Sequence, residues 1–283
     1  MPDQADQLRH LVRQAVRRLP ALGPLPPVVA VTGAASGAGT TALACEAARE
    51  LTSLGQRVLL VDANVTNPRV VEHFGLHPRG AIHDVLSGER RLIEASVPLD
   101  QGLMILGGRG DRTPPPPLDL SAQDRLLEEL AASRSALDFV LVDGGVAGTP
   151  WTDRLWQLAQ QILLAATPAA GDLRAAYAAI KLARQESDDP GLGNGRLRLV
   201  VTAESGSPRA AQAAEKFADT CQHFLGLNIG HALLLPPRRD DLAEASDVRQ
   251  QAMRNLAAEI LSYYHVTTTR VRVNRTRNSH PAE

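Results

Sequence analysis

Short β-branched or aliphatic runs recur along the chain at 28–32, 58–62, 103–107, 139–143, 162–166, 197–202 and 231–235. Between them, apolar residues return every three to four positions over roughly 41–54, 121–134, 170–186, 208–224 and 247–264, the spacing of a helix with one buried face. Strands alternating with helices predict an α/β fold: a mainly parallel β-sheet with helices on both faces. Strands covered on both faces read as near-continuous apolar runs rather than alternating ones. In such a sheet ligands gather at the carboxyl ends of the strands. Pro114–Pro117 and Asp188–Gly195 read as loops, and no internal repeat is visible.

Two extensions flank this core. Residues 3–19 place Ala5, Leu8, Leu11, Val12, Ala15 and Leu19 on one helical stripe, with Arg9, Arg13, Arg17 and Arg18 outside it. The proline-rich segment 20–27 (PALGPLPP) then acts as a semi-stiff tether. At the far end Arg270, Arg272, Arg275 and Arg277 decorate a basic tail expected to be disordered. The expected organisation is therefore helix and tether at 1–27, the main domain at 28–264 and the tail at 265–283. The last helix gathers Met253, Leu256, Ala257, Ile260, Leu261 and Tyr264 on one side, with only Arg249 and Arg254 as cations before the tail. That pattern favours packing on the core over lying on a membrane.

Composition adds bounds. With 283 residues, a formal net charge of −1 and 44% hydrophobic residues, the chain reads as one large globular domain with short extensions. No apolar run approaches the length of a membrane span, and no signal-like start is seen, so a cytoplasmic location is expected, with any inner-membrane contact peripheral. Cys45 and Cys221 stand alone, outside any metal or redox spacing, and read as buried small hydrophobes. Aromatic content of 3% argues against a base-stacking surface for nucleic acid.

The chemistry sits in residues 28–41, VVAVTGAASGAGTT: an apolar strand, a loop of small residues and a helix start. Only small residues let consecutive backbone N–H groups wrap a phosphate at a helix N-terminus, so Gly33, Ser36, Gly37, Ala38, Gly39, Thr40 and Thr41 are candidate phosphate-binding positions. The G-x-x-x-x-G-K-[ST] pattern asks for lysine after Gly39, but Thr40 stands there. The pattern's first glycine falls on Ala34, with Gly33 one residue earlier. The whole chain has only two lysines, Lys181 and Lys216. A plain glycine–alanine turn is the bland alternative. Two further strands weigh against it. VLLVDANVTNP ends its apolar run on Asp62, able to hold magnesium-bound water or orient an attacking water. FVLVDGG has the form of a Walker B strand, with Asp143 placed for magnesium and Thr41 as a magnesium-ligand hydroxyl. ATP or ADP with Mg2+ is the cofactor this set implies.

The ordered loop, Asp62 strand and Asp143 strand resemble the MinD/ParA superfamily of deviant-Walker ATPases over about residues 28–262. The segment from Val58 to Glu89 is similar to that superfamily, including its bacterial tyrosine-kinase branch. Asp3-Gln4-Ala5-Asp6-Gln7-Leu8-Arg9 resembles the N-terminal helix of the flagellar-number regulators (the FlhG/FleN class), and residues 216–240 resemble their late helix and final strand. The resemblance places Thr202 where relatives carry the asparagine that reads adenine, and Pro236–Pro237 at the turn bordering the base. It places the superfamily's signature lysine on Ala35, its P-loop lysine on Thr40 and its second acid on Asn64. Loss of both point charges implies slow or absent ATP hydrolysis, with Asp62 as the catalytic residue of any remaining activity. In relatives one of these lysines crosses a dimer interface, so the resemblance implies a homodimer whose bridging lysine is absent here. It also implies a protein partner, a signal-recognition-type GTPase, reached through Asp3–Arg18; an amphipathic cap docked on the body is the bland alternative for that helix. An atypical ATPase binding MgATP through backbone amides alone, and a kinase-like component of polysaccharide export with Tyr263 and Tyr264 as substrates, are the alternatives.

Overall fold

The computed structural model describes residues 25–64, 66–77, 79–100, 102–109, 120–186, 192–193, 195–238 and 243–277. The helix expected over 3–19, its contact segment Asp3–Arg18, the Pro114–Pro117 loop and most of the Asp188–Gly195 loop lie outside these residues.

Eight strands form one sheet: β1 Val28–Gly33, β2 Val58–Asp62, β3 Val97–Asp100, β4 Leu103–Leu106, β5 Phe139–Val146, β6 Gln161–Ala166, β7 Leu197–Thr202 and β8 Leu233–Leu235. Their order is β3-β4-β2-β5-β1-β6-β7-β8, so β1 is central and every neighbour pair except β3–β4 is parallel. β1, β2 and β6 are buried at every residue, as strands covered on both faces must be.

The helices are α1 Thr40–Ser53, α2 Val70–His73, α3 Ile82–Ser87, α4 Leu92–Ala95, α5 Leu120–Ala132, α6 Pro150–Leu158, α7 Ala170–Glu186, α8 Pro208–Leu225 and α9 Ala243–Arg277. They divide between two cores. On one face Val29, Val31, Val58 and Leu60 pack against Leu43, Ala47 and Leu51 of α1 and against Met253, Leu256, Ala257 and Ile260 of α9. On the other, Ala30, Leu59 and Val61 meet α3, α5, α6, α7 and α8. Each large aliphatic side chain buried this way contributes about 1.5–3 kcal/mol.

The helical face proposed for the last helix is thus spent on α1 and the sheet. α9 is longer than the expected 247–264, and its backbone takes in residues 265–277 of the segment expected as a disordered tail. Among the described residues no helix is long and apolar enough to cross a membrane. Cys45 and Cys221 are buried free thiols, and burial pushes both pKa values up, that of Cys221 to about 11.

Candidate nucleotide site

The loop leaving β1 does what its small residues allow. Gly37 and Gly39 take left-handed backbone conformations, φ 85° and 82°, that side-chain-bearing residues adopt only under strain. Gly39 is the N-cap of α1 without a side-chain cap bond, and the first turn of α1 carries no acidic residue. The helix start therefore presents backbone N–H groups and a positive dipole end to an anion. Gly33 is required for a different reason. A Cβ there would stand 2.3 Å from Thr40 Oγ1, so the Thr40 hydroxyl lies folded back across the strand end. Where the P-loop pattern asks for a lysine, the structure holds a short neutral side chain inside the loop.

The two carboxylates come together across the β2–β5 pairing, in which Asp62 is in register with Asp143, and β5 lies beside β1. Both are buried, Asp62 at 1% and Asp143 at 0% exposure. The donors that hold them are neutral. Thr41 Oγ1 donates to Asp143 Oδ2 at 2.6 Å, and the Gly145 N–H donates to Asp143 Oδ1 at 3.1 Å. The Val70 N–H donates to Asp62 Oδ2 at 2.9 Å and the Asn64 N–H to Asp62 Oδ1 at 3.3 Å. Burial is the main cause that pushes Asp62 up to about 7; the neighbouring Asp143 adds to it, while the N–H bonds from Val70, Asn64 and Arg69 oppose it. Burial also raises Asp143, against the pull of Thr41 and Gly145. Buried acids whose ionised form is disfavoured are what a bound divalent cation would relieve. A hydroxyl with two carboxylates is a hard oxygen set that suits Mg2+. Thr41, Asp62 and Asp143 therefore fit the metal that the sequence implied.

Two parts of the site have no forerunner in the sequence reading. The chain's two tryptophans lie on α6 and reach back to the strand ends. Trp151 Nε1 donates to the Ala63 carbonyl at 2.6 Å, and Trp156 Nε1 to Thr32 Oγ1 at 3.2 Å. The start of α6 was readable: Thr149 accepts from the Thr152 N–H and Pro150 occupies the first turn, a standard helix opening. The second part is Arg249, buried at 8% exposure. Its Nε donates to Glu46 Oε2 at 2.8 Å and its Nη1 to the Pro236 carbonyl, tying α9, α1 and the turn after β8 together. Nothing local to Arg249 signals that role.

Thr202 and Pro236 end β7 and β8 on the same sheet edge as the loop, with Thr202 paired to Leu235 and the Ala203 N–H bonded to the Leu235 carbonyl at 2.9 Å. The lysines Lys181 and Lys216 lie on α7 and α8, on the face away from α1.

No protein-family profile matches the chain. In sequence it is 24% identical over 209 residues to the antiactivator FleN of Pseudomonas aeruginosa, covering 74% of this chain and 73% of that protein. It is 25% identical over 162 residues to the flagellum site-determining protein YlxH of Helicobacter pylori, covering 57% of this chain and 55% of that one. In structure it matches the septum site-determining protein MinD of Pyrococcus horikoshii, solved with Mg-ADP, at a TM-score of 0.62 and 17% identity, over 83% of this chain and 96% of that one. The chain has the fold of the MinD/ParA ATPases. In sequence it is similar to proteins of the flagellar-number class, in keeping with the expectation from its sequence. The predominantly parallel α/β architecture of the MinD/ParA fold is likewise the one its strand and helix pattern predicted.

Proposed function

We propose that this MinD/ParA-type protein is a cytoplasmic regulator of the number or placement of a flagellum or similar polar machine, with very slow or lost ATP turnover. The similarity to FleN over 209 residues is the observation that carries this reading.

Residues of this chain can account for weak nucleotide holding. Backbone N–H groups of the loop and of the first turn of α1 would wrap the phosphates. Thr41 and Asp143 would hold Mg2+, which when bound supplies positive charge against the phosphate oxygens. Asp62, anchored by the Val70 and Asn64 N–H groups, stands where it could orient a water. Thr202 and the Pro236–Pro237 turn would border the base. Thr40 offers only a hydroxyl dipole in place of a full charge, and phosphoryl transfer rests almost wholly on positioning and charge neutralisation. Turnover should suffer more than binding.

Without turnover, regulation falls to protein contact, and Asp3–Arg18 is the segment we assign to it, acting on a signal-recognition-type GTPase. Two measurements test the reading. Equilibrium binding of ATP and ADP, with and without magnesium, should show weak, magnesium-aided binding with negligible phosphate release. Robust magnesium-dependent hydrolysis abolished by Asp62→Ala would instead establish a working ATPase, a reading that the paired, buried Asp62 and Asp143 favour. Capture of the GTPase by the full chain should be lost in a Leu8→Glu, Leu11→Glu variant, and capture that survives this change would remove the segment from the partner reading.

A further inference from the structure

A groove of about 670 Å3 runs along α8 beside the sheet edge. Its floor is apolar and small-featured, with Ala214, Ala218, Ile229 and Leu234, while Glu215 and Asp219 stand on its rim. Among the described residues lining it there is no lysine or arginine. It also lies where the sheet stops, because β8 is the last strand and pairs only with β7.

We propose that this groove is the docking site of the chain's own N-terminal segment, Asp3–Leu19. Three observations select that occupant over others. The first is chemical fit: Leu8, Leu11, Val12 and Ala15 form an apolar stripe matched to an alanine-lined floor. The second is charge. Arg9 and Arg13 follow the stripe four residues apart, and the rim acids Glu215 and Asp219 are also four residues apart on one helix face. The third is reach. β8 runs parallel to β7, β6 and β1, so the loop leading into Leu233 lies on the sheet edge where the chain enters β1 at Val28. From β1 to β8 is three strand spacings, about 14 Å at ~4.8 Å each. Leu25 packs on the core and the Pro27 carbonyl accepts from the Val140 N–H, so residues 25–27 are held beside β1. The remaining residues 20–24 extend to about 16 Å at ~3.1 Å per residue, enough to cross that gap.

Docking there makes the segment's apolar stripe a shared resource: the groove and an external partner compete for the same side chains. This deepens the partner reading given above and uses the same segment, but its test needs no partner. The experiment is hydrogen exchange on the full chain, read at 211–222 and 228–234. In the wild type these amides should exchange slowly. Leu8→Glu, Leu11→Glu should raise their exchange several-fold, and so should Arg9→Glu, Arg13→Glu. The exposed-rim variant Glu215→Arg, Asp219→Arg should do the same alone and should restore slow exchange when combined with Arg9→Glu, Arg13→Glu. Equal exchange in the wild type and the Leu8→Glu, Leu11→Glu variant overturns the proposal. So does protection that grows with protein concentration alongside a dimer in sedimentation, which would give the groove to a second copy. Intact docking with no capture of a GTPase would defeat the partner reading alone.

Discussion

Around Asp62 and Asp143 each carboxylate oxygen named above has a short-range donor, from Thr41, Gly145, Val70 or Asn64, and both acids are sealed from water. Around Gly33–Thr40, on the same edge, the backbone has the turns of a phosphate cradle, while the side chain that folds over Gly33 carries a neutral hydroxyl. The acidic half of the site keeps a hydroxyl and two buried carboxylates, with Asn64 in place of a further acid, and the loop half has shape without charge. The two halves place different demands on the chain. Holding a hard cation requires anionic oxygens fixed by donors, and a sheet supplies these through strand register. Neutralising phosphate requires a mobile cation reaching in from the loop, and a small-residue loop without lysine cannot provide one.

Four experiments would break or sharpen that contrast. The largest effect is expected from Gly33→Ala, which drives a Cβ into Thr40 Oγ1 at 2.3 Å. It should cost about 2 kcal/mol by overpacking in chemical denaturation and abolish nucleotide binding, and adding Thr40→Ala should recover most of the stability. Unchanged ATP binding in Gly33→Ala would show that the cradle does not hold phosphate. Thr41→Ala comes next. It strips the 2.6 Å donor from buried Asp143, so a loss of about 1–2 kcal/mol is expected, together with loss of the magnesium effect on nucleotide affinity. A magnesium effect that survives would move the cation elsewhere.

Thr40→Lys should put charge into the phosphate half. One charge-assisted contact at about 1.4 kcal/mol predicts a gain of about tenfold in ATP affinity by calorimetry. No gain would mean that the loop cannot aim a lysine at phosphate. The smallest effect serves as a control far from both halves. Arg57 holds Asp138 through a 2.8 Å ion pair, and that contact is the main reason the Asp138 pKa is lowered. A depressed carboxylate pKa stabilises the fold above the unfolded value of about 3.9, and that contribution fades as pH falls through the folded value. The wild type should therefore hold a slight advantage over Arg57→Gln near neutrality and lose it in acid, and a pH-independent difference would refute the pairing. Both side chains are partly exposed, so the advantage should be small and salt-sensitive.

The sequence by itself determined the repeated alternation of apolar strand and amphipathic helix, the loop at 33–41 and the two acids that end apolar runs. Each of these is a local pattern: a short run of consecutive apolar residues, a helical stripe over several turns, glycines where only glycine suits the backbone. It missed β3, whose four residues include Pro98 and alternate in exposure on an antiparallel edge. It missed α2, α3 and α4 as well, since four to six residues are too few for a 3.6-residue period to repeat. Tertiary structure alone decided that Asp62 and Asp143 share a register although they are far apart in sequence, and that Thr40 folds over Gly33. It also decided that Trp151 and Trp156 turn their N–H groups onto the strand ends, and that Arg249 joins Glu46 to the Pro236 turn. Those contacts are set by strand order and by which helix covers which face. They join residues that no window along the chain contains together.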